Sequence, residues 1–234
     1  MSSVDTEQLG VLMGELERTC PQTLKATALD FVPTMMEPQD ELIHELVFSL
    51  LLWESSLTHA IRGMQLIRES LADYNELRVC FPEDLSGIIG TRYPGSLERS
   101  ERIIAALNSV FQREQSLSLG VLRELSKHDA RRYLTTLSGV PGFVAARVTL
   151  IGLGGHAFPI DGLLMKYLAK QGVLVGTASQ EQHMGRMERA VRAADSHRLY
   201  CMIEYWADQK RNSSSATETL EENGRPADQS RNAS

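Results

Sequence analysis

Apolar residues recur at three- and four-residue intervals along most of this chain, and that spacing confines it to helices. Leu9, Leu12, Met13 and Leu16 form one stripe behind an Asp5/Thr6 start signal. Leu42, Ile43, Leu46, Val47, Leu50 and Leu51 form a second, after Pro38, a residue suited to a first helical position. Leu57, Ile61, Met64 and Ile67 form a third. A short helix is expected near 83–89, ending at Gly90. Ser96 stands where a cap is needed for a long helix with Ile103, Leu107, Val110 and Phe111 on its core face. Further helices are expected at 116–125, 129–137, 144–153, 161–170, 180–194 and 196–209. No stretch alternates convincingly, and Val173-Leu-Val175 is too short to count as a strand. The expected fold class is all-α, with about ten helices.

The chain has 234 residues, enough for a core without disulfides or metals. No apolar run approaches the ~18 residues of a membrane span. The longest, Val47 to Trp53, is bounded by Glu45 and Glu54 and reads as a buried helix. The N-terminus lacks a basic and apolar leader, so no signal peptide is expected. Cys20, Cys80 and Cys201 are odd in number and far apart, which fits no disulfide framework, zinc site or iron–sulfur ligand run. A reducing cytoplasmic location is expected, nucleoid-associated if the source is bacterial.

The formal net charge of −6 argues against a nucleic-acid partner, but its distribution does not. Residues 1–98 carry 6 basic and 16 acidic side chains, and residues 99–200 carry 14 and 8. A local basic excess steers a charged partner more than the total does. The positive face is therefore expected within 99–200, with the surplus carboxylates of the first third away from it. From 209 to 234 the only large apolar residue is Leu220, and this tail is expected to be disordered. Asn212 and Asn232 fit a glycosylation pattern, read as chance in a Ser/Asn-rich tail.

The segment 129–172 carries the most information. It reads as helix, Leu137-Ser-Gly-Val-Pro-Gly142, helix, glycine-rich connector, then Pro159-Ile-Asp-Gly-Leu-Leu-Met-Lys166 opening another helix. Two short helices joined by a glycine turn suit phosphate binding, because the second helix presents free N–H groups and a positive dipole end. Such a device grips the duplex by its phosphates without reading sequence.

These residues resemble the helix-hairpin-helix DNA glycosylases, the superfamily of endonuclease III and the adenine glycosylases. The hairpin of that family reads Leu-Pro-Gly-Val-Gly-x-x-Thr-Ala, beside Leu137-Ser-Gly-Val-Pro-Gly-Phe-Val-Ala145 here. Its catalytic loop reads Val-Asp-Thr-His-Val-x-Arg, beside Ile160-Asp-Gly-Leu-Leu-Met-Lys166. Residues 40–60 resemble its early buried helix in pattern, and Arg99-Ser-Glu-Arg-Ile-Ile104 its Lys-Ala-x-x-Ile helix. Four departures stand out. Pro141 replaces the second hairpin glycine and removes a donor. Phe143 stands where bifunctional members keep a lysine. Gly162-Leu163 replaces Thr-His, and the iron–sulfur cysteines are absent.

The resemblance implies two helical bundles with a cleft between them: 38–154, ending in the helix-hairpin-helix, and 1–37 with 155–208. It implies a monofunctional DNA glycosylase, working as a monomer on double-stranded DNA and a flipped base. It needs no cofactor, no metal and no membrane partner. Asp161 is the implied catalytic carboxylate, and Gly139, Val140, Gly142, Arg99, Arg147 and Lys166 the implied DNA contacts. With phenylalanine at 143 no Schiff-base lyase step is expected.

Each residue also has a plainer reading. Asp161 fits an ordinary helix cap worth about 1 kcal/mol. Trp53 suits stacking on a base or simple core packing, and Glu54 suits a base edge or a solvated helix end. Arg186, Arg189 and Arg192 suit a phosphate track or a solvated face. The six histidines show no metal spacing, and Gly152-Leu-Gly-Gly155 follows no strand, so a dinucleotide loop is not expected. The alternative to an enzyme is a catalytically silent module of the same fold, or a helical interaction protein. The discriminating feature is Asp161: an enzyme requires it open to a cleft flanked by the hairpin and basic side chains. If that carboxylate is buried or faces the opposite surface, the enzyme reading fails.

Overall fold

A computed structural model describes residues 3–21, 25, 27–33 and 40–223, with the side chains of all but 3, 29 and 211–223. In chain order the helices are α1 (Thr6–Thr19), α2 (Ala28–Phe31), α3 (Glu41–Leu52), α4 (Leu57–Ser70), α5 (Tyr74–Val79) and α6 (Pro82–Ile89). Then come α7 (Ser96–Glu114), α8 (Lys127–Thr135), α9 (Gly142–Arg147), α10 (Gly162–Lys170), α11 (Gln180–Ala190) and α12 (Ala193–Asn223). The fold is all-α. Its departure from helix among the described residues is a two-residue antiparallel ladder, β1 (Ser3–Val4) with β2 (Leu174–Val175). The pairing ties the start of the chain to the loop after α10, beside the Asp5 N–H bond to the Val173 carbonyl.

Most of the helices begin where a short polar side chain takes up orphan N–H groups, whereas α6, α7 and α9 start at Phe81, Gly95 and Pro141 without one. Asp5 accepts from Glu7 and Gln8, Ser126 from Asp129, and Ser179 forms a capping box with Gln182. Asp40 caps α3 at Leu42 with one oxygen and holds Ser118 and the Leu119 N–H with the other. The helix therefore starts at Glu41, and Pro38 lies outside the described residues. Ser96 is not the cap of α7 but its first residue, after Gly95 in the left-handed conformation.

The helix α3 is buried from Leu42 to Leu52 on every side, as a helix that is apolar all round must be. A first core gathers around it, from α2 through α8, with Phe143, Val144, Ala145 and Val148. A second core joins α1, α10, α11 and α12, with Ala146, Leu150 and Ile151. The segment formed by α9 and the π-helical turn Val148–Gly152 thus faces both cores and is the spine between them. Ala28 and Val32 pack in the first core, so residues 1–37 do not all belong with the second bundle.

Two further expectations are corrected. Residues 116–125 form only a 3-10 turn at Gly120–Arg123, because Ser118 and Leu119 are pulled back to Asp40. The polar tail is helical to Asn223, with 224–234 outside the described residues. Extending a helix nucleated at Ala193 needs no new nucleus, which is why a tail without a core can still continue it. Among the described residues no helix is long and apolar enough to cross a membrane.

The seam between the cores is filled by charge. Arg147 is fully buried on α9, between Glu45 of α3 and Glu204 of α12. Its Nη1 also donates to Ser49 Oγ (3.1 Å), and Glu45 accepts the Ala28 N–H (2.7 Å). Burial works against the guanidinium, and the two carboxylates outweigh it, so its pKa is raised. One cation between two carboxylates leaves negative charge in excess, and burial pushes Glu204 above the usual carboxylate range. Removing the cation would leave both acids uncompensated. Arg147→Ala is therefore expected to cost about 3–5 kcal/mol, read as a lower urea midpoint.

His44 is a second buried polar anchor. Its Nε2 faces the Val32 carbonyl at 2.8 Å and its Nδ1 faces the Tyr74 hydroxyl. A neutral ring satisfies both, with Nε2–H donating and Nδ1 accepting. Burial lowers its pKa from 6.5, opposed by the hydrogen bond to Val32. Below that value the unfolded chain binds a proton that the fold resists, so stability falls as pH drops from 6.5 toward the lowered value. Urea midpoints at pH 7 and pH 5 are expected to differ less in His44→Gln than in wild type.

Candidate functional site

The hairpin is fastened to α7. Ser138 donates its N–H to Ser109 (3.3 Å), and Arg113 donates to the Thr136 hydroxyl (2.7 Å) and carbonyl (2.5 Å). Gly139 turns the chain at φ +77°, and a Cβ there would stand 2.6 Å from the Arg102 carbonyl oxygen. The missing Cβ is therefore required by α7 itself. The Val140 N–H bonds the Leu137 carbonyl across the turn (3.3 Å). Pro141 is the N-cap of α9, and the first backbone bond of that helix runs from Ala145 N–H to the Pro141 carbonyl. The N–H groups of Gly142, Phe143 and Val144 precede it and have no carbonyl within the helix to bond. On the other side of Gly142, α11 approaches: a Cβ at Gly142 would stand 3.3 Å from Met184 Cε and 4.0 Å from Glu181 Oε1.

Asp161 is the N-cap of α10. Its Oδ1 accepts the Leu164 N–H (2.7 Å), and its Oδ2 accepts the Glu54 N–H (2.9 Å). Glu54 returns the contact, its Oε1 accepting the Gly162 N–H at 2.5 Å. A Cβ at Gly162 would stand 2.7 Å from that oxygen, so the glycine after Asp161 admits the carboxylate. Glu54 itself is left-handed, at φ +50°. Beside it, Trp53 is half-buried beneath the Arg102 guanidinium, 4.7 Å from the ring centroid. Hairpin and carboxylate are thus linked through a chain of contacts: Gly139 to Arg102, Arg102 to Trp53, and Glu54 to Asp161.

Asp161 is only 5% exposed. The expectation of a carboxylate open to a cleft is not met, because the Trp53–Ser56 turn lies across it. Nor is the seam between the bundles an open cleft at Arg147, which fills it. A cavity of about 210 Å³ lies elsewhere, among Phe31, Leu57, Glu204, Tyr205 and Asp208, and neither Asp161 nor the hairpin lines it. That is smaller than the ~300–1,000 Å³ usual for ligand pockets.

Two expected DNA contacts are corrected by burial. Arg147 has no solvent face and is held by the ion network. Arg99 is 3% exposed, donating to the Leu50 and Leu51 (3.0 Å) carbonyls at the end of α3 and to the Pro94 carbonyl (3.2 Å) just before α7. Burial lowers its pKa, opposed by Tyr93, Glu98, Asp161 and Glu54. Both guanidinium groups are engaged inside the protein. Lys166, by contrast, is exposed on α10. The Arg186, Arg189 and Arg192 row is broken, since α11 ends at Ala190 and Arg192 pairs with Asp195 in the following turn (2.7 Å). Phe143 is 2% exposed in the first core. Among the described residues no cluster of three metal-ligating side chains occurs.

The contact missed in the sequence is Glu54 with Gly162, because the two lie 108 positions apart. Its only local signal is an acid directly after a helix end, which a solvated charge also gives.

No protein-family model matches the chain. A 62-residue stretch is 39% identical to DEMETER-like protein 3 of Arabidopsis thaliana, covering 26% of this chain and 6% of that protein. Among solved structures, a trapped endonuclease III–DNA covalent intermediate superposes with a TM-score of 0.64 at 12% identity, over 87% of this chain and 86% of that one. The H. pylori 3-methyladenine DNA glycosylase bound to 1,N6-ethenoadenine gives 0.61 at 12% identity, over 88% and 99%. The Clostridium acetobutylicum 8-oxoguanine glycosylase/lyase with double-stranded DNA gives 0.59 at 14%, over 87% and 69%. The chain has the all-α fold of the endonuclease III-like helix-hairpin-helix DNA glycosylases.

Because Gly139 combines a positive φ with a backbone neighbour, its substitution is penalised twice. Gly139→Ala is expected to destabilise by about 2 kcal/mol or more, against a stabilisation of about 0.5–1 kcal/mol at open, helical Gly87, compared by urea unfolding.

Proposed function

We propose that this protein holds double-stranded DNA by its phosphates at the 137–142 hairpin, and that it is catalytically silent in the conformation described. The observation that carries the reading is the pairing of two features: α9 begins with three N–H groups that have no carbonyl within the helix, while Asp161 is enclosed. Phosphate oxygens are the natural acceptors for such donors, in the field of a positive helix end. Gly139 sets the turn, Gly142 opens the helix, Val140 braces it, and Lys166 supplies an exposed cation. The likeness to DNA-bound structures of the same fold supports this placement.

A second reading is a monofunctional glycosylase with Asp161 as its carboxylate. It is favoured by the position of Asp161, at a helix N-terminus linked through Trp53 and Arg102 to the hairpin. In that chemistry the base is extruded, a water oxygen bonds to the sugar carbon and the N-glycosidic bond breaks. The carboxylate stabilises the oxocarbenium-like sugar and takes one proton of the water, the other staying on the new sugar hydroxyl, and the proton taken is passed through solvent to the departing base. Buried Phe143 offers no amine, so an abasic site, not a strand break, is the product.

Fluorescence anisotropy with a labelled duplex tests the first reading. Binding is expected to weaken steeply with salt, and Lys166→Ala to reduce the slope of log K against log salt by about one. Absence of binding at low salt overturns it. Alkali-labile sites in a panel of damaged duplexes test the second: wild-type product that disappears in Asp161→Asn establishes the glycosylase and overturns silence.

A further inference from the structure

We propose that the corner between α5 and α6 docks a segment of a partner protein that is both apolar and basic. The two most exposed large apolar side chains among the described residues stand next but one to each other there, Val79 at 64% and Phe81 at 71%. Cys80 between them is half-buried, so the chain turns the thiol inward and the two flanking side chains out to water. Local structure does not call for an aromatic at 81. Phe81 is the N-cap of α6, a position that favours a short oxygen-bearing side chain, and it makes no cap hydrogen bond. Pro82 after it already sets the first helical turn. The ring thus forgoes a cap and meets solvent instead of the core.

Charge selects the occupant. Residues 70–88 carry four carboxylates, Asp73, Glu76, Glu83 and Asp84, and one cation, Arg78. Glu76, Glu83 and Asp84 are exposed. Burial raises the Cys80 thiol above its ordinary range, and Glu76 and Asp84 add to the rise, which fits carboxylates on both sides of the corner. Arg78 is directed at α7: its Nη1 donates to Asn108 (3.0 Å), and its guanidinium lies 4.0 Å from the centroid of the Phe111 ring. An apolar pair rimmed by carboxylates repels phosphate, whether of nucleic acid or of lipid. It suits a polypeptide in which lysine or arginine flanks an apolar side chain. The corner is also clear of the hairpin. Arg78 packs on the flank of α7 that carries Asn108 and Phe111, whereas the hairpin meets the flank that carries Arg102, Ala105 and Ser109. At about 3.6 residues per turn these flanks are opposite, so a partner on the corner leaves the hairpin free.

Fluorescence anisotropy of a fluorescein-labelled peptide alternating lysine with leucine, titrated with the 234-residue protein, tests the corner. Phe81→Ser is expected to weaken binding at least ~10-fold, as truncation of a central aromatic anchor does. Glu83→Gln combined with Asp84→Asn is expected to weaken it and to flatten its salt dependence. A peptide with glutamate in place of lysine is expected not to bind. Serine suits an N-cap, so the urea midpoint of Phe81→Ser is expected at or above that of wild type, and lost binding then reports the surface and not unfolding. No binding by wild type, equal binding by wild type and Phe81→Ser, equal binding of the lysine and glutamate peptides, or a lower urea midpoint for Phe81→Ser overturns the proposal. So does self-association in sedimentation velocity that Phe81→Ser abolishes, which assigns the corner to a second copy of this chain. None of these outcomes depends on DNA binding at the hairpin.

Discussion

The Arg147 guanidinium is the point on which the rest of the architecture turns. It projects from a segment shared by both cores and meets a carboxylate from each side, Glu45 and Glu204. A hydrophobic residue there would seal the seam as well, but would not specify which helix faces which. The ion network does so, because each charge is tolerated in the interior only against its own partners. It also carries order outward: Glu45 fixes the start of α2, and Glu204 receives the Tyr200 hydroxyl. The same position closes the space between the bundles, so the feature that organises the fold also removes the open cleft expected there.

At the candidate site the two bundles meet again, this time near the surface. Asp161 belongs to the second and Glu54 to the first, and each completes the other's hydrogen bonding. The carboxylate is thus a cap and a cross-bundle tie, and the glycosylase reading would ask it for chemistry as well. These roles conflict, since capping and tying enclose the oxygens that chemistry would use. The hairpin has no such conflict. Its glycine is committed to α7, while the first N–H groups of α9 remain directed away from the ladder of the helix. In the two proposed readings, holding DNA and cleaving a base are therefore separable, and only the second would require Asp161 to open.

Much of this was legible in the sequence, for reasons of period and cap. Three- and four-residue spacing located α1, α3, α4, α7, α10 and α11, and the glycine turn located α8 and α9. The charge count was less faithful. It placed basic residues around the hairpin, but Arg99 and Arg147 are consumed inside, one on carbonyls at the end of α3 and one between carboxylates. A guanidinium reads alike in sequence whether it faces phosphate or a buried acid. The helix continuing to Asn223 escaped for a related reason: composition reports what a segment can bury, and a helix already nucleated needs to bury nothing more.

By itself the sequence determined an all-α chain, a glycine hairpin between two helices, and an aspartate at the head of the next helix. These are local properties, set by periodicity, by the φ that only glycine adopts readily, and by the hydrogen-bonding reach of a short side chain. Tertiary structure alone decided which cations are available, where the bundles close, and whether Asp161 is open. Those depend on partners from 45 to 204 and from 54 to 162, and contacts at such separation arise only from the packed fold.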